Sequence, residues 1–380
     1  MNYIALLESC WQEHLQPRAK NAPTVISTFA GCGGSSLGYS MAGFRELLAV
    51  EWDDNAVQTF ALNFPDVPIY HGDIAKLSVQ ECLDRAHIQP RELDVFDGSP
   101  PCQGFSTAGK RMIDDPRNQL FREYVRLLRG LQPKVFVMEN VSGMVKGKMK
   151  LVFVEILQEL KASGYQVSAR LLNAMYFNVP QSRERMIFIG VRNDLNIAPS
   201  HPKAENNPIT AFCALDRVKR NQDEITFLLD AGRKYRAYKY WDFVRVGHSE
   251  DEITGSGFNA VKFNPNKPAS TIRKNDGNLT MHGAMHWGER RRFSENEFMR
   301  FSSFPDAFVF ARSKRWGDSV NRIGNSVPPL FMRSIARHIR REILEHGKQE
   351  NIGANTETRG RQTRQKSRVA GKPETAVARG

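Results

Sequence analysis

"TVISTFAGCGGSSLGY", residues 24–39, passes from a β-branched apolar run through a glycine-rich turn into the start of a helix. Val25 and Ile26 suit a buried strand. Gly31, Gly33 and Gly34 stand where the backbone must turn tightly and approach another group closely. The same strand-then-helix rhythm continues through "LLAVEWD" (47–53), a helix over "NAVQTFALNF" (55–64), "LDVFDGSPP" (93–101), "QLFREYVRLLRGL" (119–131) and "KVFVMENV" (134–141). A helix near "KLVFVEILQELKASG" (150–164) leads to two more strands, "YQVSARLLNA" (165–174) and "RMIFIGVR" (185–192). Short apolar runs alternating with helical patterns predict an α/β fold on a parallel, doubly wound sheet.

The chain has 380 residues, 41% hydrophobic and 25% charged, enough for one large core and a smaller second unit. Residues 1–22 read as a helical arm with Ile4, Leu7, Trp11 and Leu15 on one face. Residues 23–193 carry the strand–helix rhythm. Residues 194–265 lose it, and "SENEFMRFSSFP" (294–305) with the helix "PPLFMRSIARHIRREILEH" (328–346) restores it over 266–346. The stretch 347–380 holds eight Lys or Arg against three Glu, with almost no large apolar residue, and reads as a disordered basic tail. No apolar run approaches the ~18 residues that span a bilayer, so a cytoplasmic protein without membrane association is expected. Five cysteines without CxxC or Cys/His spacing predict neither a disulfide framework nor a metal site. The net charge of +13 favours a polyanionic partner such as nucleic acid.

Read as a dinucleotide fingerprint, the glycine turn lacks its third glycine, because Ser36 stands there. Glu51, twenty residues after Gly31 and at the end of the second strand, can take both hydroxyls of a ribose, and Trp52 beside it can stack on adenine. Asp73 of "GDI" is placed to accept from an adenine amino group. An adenosine ligand without pyrophosphate fits this set better than NAD, and S-adenosylmethionine is the common one. Cys102, in "SPPCQGFS" (99–106), follows the carboxyl end of a strand, where open parallel sheets place ligands. Pro100 and Pro101 restrict the turn that presents its thiol, which points to a nucleophile. Glu139, in "MENV", emerges at the same edge. Gln181, Arg183 and Arg185 share one face of an extended segment by the period of two.

Nine blocks in order now carry a resemblance: "TFAGCGGSSLGY", "AVEWD", "GDI", "GSPPCQGFS", "RNQLFREYVRLL", "MENV", "VPQSRERMIFIG", "RRRFSENEFMRFSSFPDAF" and "RIGNSVPP". The series resembles the DNA (cytosine-5)-methyltransferases of bacterial modification systems, over about residues 24 to 340. Departures are small: Met138 where Leu is frequent, and Phe301 with Ser302 where Leu and a polar residue are common. The resemblance implies a Rossmann-like methyltransferase fold dependent on S-adenosylmethionine, with a small irregular target-recognition domain at 194–265. By the same resemblance the Cys102 thiolate adds to carbon 6 of a flipped cytosine, Glu139 serves N3 and the exocyclic amine, and Arg185, with Arg183 beside it, serves O2. Phe29, Gly31, Gly33, Glu51, Trp52, Asp73, Ile74, Leu120, Asn325 and Ser326 would hold the cofactor. No metal is required by this chemistry.

The loop "QGFSTAGKRMIDDP" (103–116), with Ser106, Lys110 and Arg111, is glycine-jointed and basic, as a loop closing over DNA would be. Within the irregular region, "RKYRAYKYWDFVRVGH" (233–248) offers Arg233, Lys234, Arg236 and Lys239 to phosphates or guanine edges, or else forms a solvated strand with a buried aromatic face. The expected partners are double-stranded DNA and a cognate restriction endonuclease, with the chain acting as a monomer. A nicotinamide-dependent oxidoreductase would leave Cys102, Glu139 and Arg185 without a joint role, and a tRNA cytosine-5 methyltransferase fits "PCQGFS" less well. A purely DNA-binding module would leave the cofactor set idle. Arg236→Ala is expected to weaken DNA binding and leave cofactor affinity unchanged; an unaltered gel-shift titration would remove this stretch from the interface.

Overall fold

The computed structural model describes residues 2–101, 119–145, 149–205, 207–255, 260–313 and 315–345. In chain order the first half comprises α1 (Tyr3–Leu15), β1 (Thr24–Thr28), α2 (Gly34–Met41), β2 (Arg45–Glu51), α3 (Asp54–Asn63), β3 (Ile69–His71), α4 (Val79–Ala86), β4 (Val95–Gly98), α5 (Gln119–Leu131), β5 (Val135–Val141), α6 (Met149–Ala162), β6 (Tyr165–Asn173) and β7 (Glu184–Arg192). The irregular region holds α7 (Ala211–Ala214), α8 (Gln222–Lys234), α9 (Asp251–Thr254), β8 (Val261–Lys262) and β9 (Ala284–Met285). The chain then closes with α10 (Glu295–Phe301), α11 (Asp318–Asn325) and α12 (Pro329–His338).

The seven-stranded sheet has the order β3-β2-β1-β4-β5-β7-β6. Strands β1 to β5 pair in parallel, and their apolar residues alternate between two cores, as strands covered on both faces require. Val25, Val95, Val135 and Val137 face α1, α2 and α12, whereas Ile26, Phe96, Phe136 and Met138 face α4, α5 and α6. The expected doubly wound sheet is parallel except at β7, which runs antiparallel to both β5 and β6. The connection from β6 to β7 contains no crossover helix, so β7 returns as a neighbour in the opposite sense. The order reverses between β1 and β4, and the carboxyl ends of those strands form the switch-point crevice.

Helix α1 docks on the main core through Tyr3, Ile4, Leu7 and Cys10. The expected face is corrected at its end, since Leu15 is 54% exposed and the buried stripe starts at Tyr3 instead. Arg18 then joins two helix ends, donating to the Glu13 and His14 carbonyls of α1 and to the Ser40 carbonyl of α2. Helix α12 packs on α2, where Gly38 allows contact: a Cβ there would lie 2.6 Å from Met332 Cβ. No helix among the described residues is long and apolar enough to cross a membrane.

The stretch 233–248 is not a strand. Arg233 and Lys234 end α8, and Arg236–Tyr238 form a 3₁₀ turn followed by further turns. Tyr238, Val244, Ala260 and Met285 form a small core of their own. Strand β8 pairs with β9, so this unit draws on residues on both sides of position 265. At its base Arg291 is fully buried and holds Glu297 through two hydrogen bonds of 2.7 and 3.0 Å.

Gly190 on β7 faces Phe136 so closely that an added Cβ would stand 1.9 Å from the ring. Gly190→Ala is therefore expected to cost about 2–3 kcal/mol in urea unfolding. An unchanged midpoint would mean that the ring has room to shift.

Candidate active site

The turn after β1 is held in an unusual backbone conformation. Phe29 has φ +55° and Gly31 φ +57°, and an added Cβ on Gly31 would meet nothing within 4 Å, so this part of the loop is an open cradle. Gly33, with φ +94°, caps α2, and its Cβ position is filled by Phe64 at 2.5 Å. Its glycine is required by packing. Glu51 braces the turn from below: one carboxylate oxygen accepts from Gly31 N at 2.8 Å, the other from Trp52 N at 2.8 Å and Asp53 N at 2.9 Å. The Trp52 ring is 76% exposed. From far along the chain, 322–327 closes against this loop. Ser326 Oγ lies 3.1 Å from Cys32 Sγ, Gly34 abuts the Val327 carbonyl, and Arg322 pairs with Asp53 at 2.7 Å.

At the end of β4, Ser99, Pro100 and Pro101 reach the same crevice, and Asn140 Nδ2 donates to the Pro100 carbonyl at 3.2 Å. Cys102 follows immediately. It lies outside the described residues, as do Ser106, Lys110 and Arg111. The other thiols are accounted for. Burial pushes Cys10 and Cys32 up to about 11 and Cys82 up to about 12, so all three stay protonated, and Cys213 is exposed on α7 away from the crevice.

Because β7 is antiparallel, its first residues meet the last residues of β5, with Arg185 opposite Val141. Arg185 Nε and Glu139 Oε1 stand 2.6 Å apart, their side chains 13% and 12% exposed. The three residues expected on one face divide their tasks. Gln181 turns away, donating to Ser302 Oγ and accepting from Ile272 N. Arg183, 2% exposed, donates to the Ile272 carbonyl at 2.9 Å and the Gly324 carbonyl at 3.0 Å, and its Nε is buried without a partner. Burial, reinforced by the Arg185 charge, lowers Arg183 to about 9.

These residues line one cavity of about 550 Å³ that joins Phe29, Gly31, Glu51, Trp52, Asn325 and Ser326 to Pro101, Glu139, Arg183 and Arg185. Gly33, Asp73, Ile74 and Leu120 are not in its wall. Asp73 caps the short turn Ile74–Lys76, Ile74 is buried in the core, and Leu120, in the first turn of α5, packs against that same core. Arg233, Lys234, Arg236 and Lys239 are exposed and stand apart from the cavity, with Arg233 paired to Asp230. Sequence reading missed Asn140, Arg322 and Lys274, all of which line the cavity. The first two are the neighbours of Glu139 in "MENV" and of the "GNSV" stretch, a signal that was available; Lys274 had none.

A family model for C-5 cytosine-specific DNA methylase matches residues 23–341. The chain belongs to this family. Among curated relatives of this methylase, the Type II methyltransferase M1.HphI of Haemophilus parahaemolyticus is 34% identical over 338 residues, covering 83% of this chain and 86% of that protein. The Type II methyltransferase M.DdeI of Desulfomicrobium norvegicum is 31% identical over 377 residues, covering 83% and 88%. Among solved structures, a DNA modification methyltransferase encoded within an E. coli prophage superposes with a TM-score of 0.66 at 24% identity, over 85% of this chain and 99% of its own. That likeness speaks for the fold. The chain is thus an enzyme of DNA cytosine-5 methylation, and neither the oxidoreductase nor the tRNA reading is favoured.

Arg183→Met would remove the bonds that hold Ile272 and Gly324 to the base of the cavity. It is expected to lower stability by about 2–4 kcal/mol and weaken cofactor binding, read by thermal unfolding and by quenching of Trp52 fluorescence. Unchanged cofactor binding in a folded variant would contradict this tethering role.

Proposed function

We propose that this methylase modifies carbon 5 of a cytosine flipped out of a specific double-stranded DNA sequence, through a covalent bond from Cys102 to carbon 6. The observation that carries the reading is the convergence of Glu139, Arg185 and the Pro100–Pro101 turn on the cavity that also holds the cradle of Gly31, Glu51 and Trp52. The family and fold imply S-adenosylmethionine, and the cavity suits its adenosine: an open turn at Gly31, a carboxylate at Glu51 for the ribose and a free ring face at Trp52. Asn325 and Ser326 would complete that pocket, with Asp73 and Ile74 at the adjoining end of β3. When bound, the cofactor supplies an electrophilic methyl group to carbon 5 and departs as S-adenosylhomocysteine.

The chain's own residues make carbon 5 reactive. Addition of the Cys102 thiolate at carbon 6 pushes charge toward N3 and O2 of the ring. Glu139 holds a proton at N3 and accepts from the exocyclic amine, while Arg185 donates to O2 where charge grows. The two side chains stand 2.6 Å apart, and the base would enter between them. A base then removes the carbon 5 proton, the thiolate leaves, and 5-methylcytosine remains. Carbon 6 is out of reach in a stacked duplex, so the cytosine must be extruded.

DNA would be held by phosphate contacts from Lys274 at the cavity mouth and by the exposed Arg233, Lys234, Arg236 and Lys239 of the irregular region, the proposed target-recognition unit. Ser106, Lys110 and Arg111 would close over it. A cognate restriction endonuclease, a cytoplasmic setting and a monomeric enzyme complete the proposal. Duplex DNA carrying 5-fluorocytosine tests it, because fluorine cannot leave as a proton does. With methyl-labelled S-adenosylmethionine the wild type is expected to form a labelled adduct that survives denaturing electrophoresis, and Cys102→Ser is not. An adduct with both proteins, or with neither, would contradict the assignment of the nucleophile.

A further inference from the structure

Two buried carboxyls lie beneath the cofactor loop, and neither forms an ion pair among the described residues. Asp97, on β4, is 3% exposed and accepts from Ser35 Oγ at 2.6 Å and from the Tyr39 hydroxyl at 3.2 Å. Glu46, on β2, accepts from Ser36 Oγ at 2.9 Å, and the Ser27 hydroxyl of β1 faces the same carboxyl. Consecutive serines in the first turn of α2 therefore hand one hydrogen bond each to the two strands that flank β1. Ser36 is the residue that spoils the dinucleotide fingerprint, and here it has a task of its own.

The two ends of the Asp97 link matter for chemistry. Ser35 borders the cofactor cavity, and Ser99, Pro100 and Pro101, just after Asp97, line it on the other side. We propose that Asp97 is a positioning residue for methyl transfer, tying the first turn of α2 to the strand end that delivers Cys102. This rests on the function stated above. A shift of about 1 Å between a cofactor loop and a nucleophile costs roughly a hundredfold in rate, so a fixed link between them is worth its burial.

Both hydroxyls donate to Asp97, so the link itself favours the charged carboxylate and partly offsets the effect of burial. Besides Ser35 and Tyr39 on α2, the titratable groups among the described residues that face Asp97 are Glu46 on β2, Tyr124 on α5 and Glu139 on β5, none of them a cation. Burial first, then the Glu139 charge, pushes Asp97 up to about 7, and burial pushes Glu46 up to about 8. Folded Asp97 thus keeps its proton to higher pH than the unfolded chain does. Its contribution to stability is full below the usual carboxylate range and declines as pH rises to about 7.

Asp97→Ala and Asp97→Asn in the full chain test this by three readouts: thermal unfolding against pH without cofactor, cofactor titration through Trp52 fluorescence, and kcat with KM. The alanine variant is expected to weaken cofactor binding and lower kcat, each by about tenfold, and the asparagine variant, a permanently neutral link, to restore both to within about threefold near pH 6.5. The stability of the asparagine variant relative to wild type should rise from the usual carboxylate range up to about pH 7 and level off beyond it. An alanine variant that is less stable yet unchanged in kcat and cofactor binding would reduce Asp97 to a structural role and overturn the proposal. So would unchanged kcat and cofactor binding in Ser35→Ala, which cuts the link from its other end and decides the matter if Asp97→Ala does not fold. Should wild type form no adduct with 5-fluorocytosine DNA, the functional reading fails instead, and the cofactor titration still decides the link.

Discussion

The reversed direction of β7 is the constraint on which the site depends. In a sheet of parallel strands, the residues that open a strand lie at the edge away from the ligand. A nine-residue strand spans roughly 30 Å, so a parallel β7 would have carried Arg183 and Arg185 to the far side of the molecule. Running antiparallel, β7 instead begins where β5 ends, and Arg185 stands opposite Val141, beside Glu139. The same reversal sets Arg183 against the Ile272 and Gly324 carbonyls. One buried guanidinium thereby fixes the positions of β7, the segment returning from the irregular region and the closing loop of the cofactor cavity.

The electrostatics of the cavity follow from its burial. Glu139 and Arg185 form a close ion pair, which avoids leaving a bare charge in a poorly solvated space. A base entering between them would exchange this pairing for bonds to its own N3, amine and O2. The buried thiols are held protonated by the core, which keeps reactive thiolate away from the structural cysteines. The carboxyls of Asp97 and Glu46 are treated the same way on the other side of the cofactor loop.

Much of this was legible in the sequence. Short continuous apolar runs marked β1, β2, β4 and β5, because strands buried on both faces have little freedom in composition. The glycine turn, Glu51 and Trp52 followed from their position at strand ends. Strand direction was not legible, since periodicity carries no sign and β7 looks the same read either way. Leu15 was misplaced because a helix's last turn can leave the core while keeping its spacing. The stretch 233–248 mixes aromatic and basic residues without regular alternation, and its aromatic contacts with Met285 and Ala260 come from far along the chain. Long-range partners of this kind, like those joining Ser35 to Asp97 and Arg183 to Gly324, leave no local mark.

The central claim is that the pair assembled by the reversed strand activates cytosine once Cys102 has added to carbon 6. Addition makes carbon 5 basic enough to take a proton from water even without cofactor, and elimination then releases the original hydrogen. Release of tritium into water from duplex DNA tritiated at cytosine carbon 5, measured without cofactor, reads this step alone. The account predicts release by the wild type, none by Cys102→Ser, and about a hundredfold slower release by Glu139→Gln and by Arg185→Met. Release at the wild-type rate from the Glu139 and Arg185 variants would contradict it.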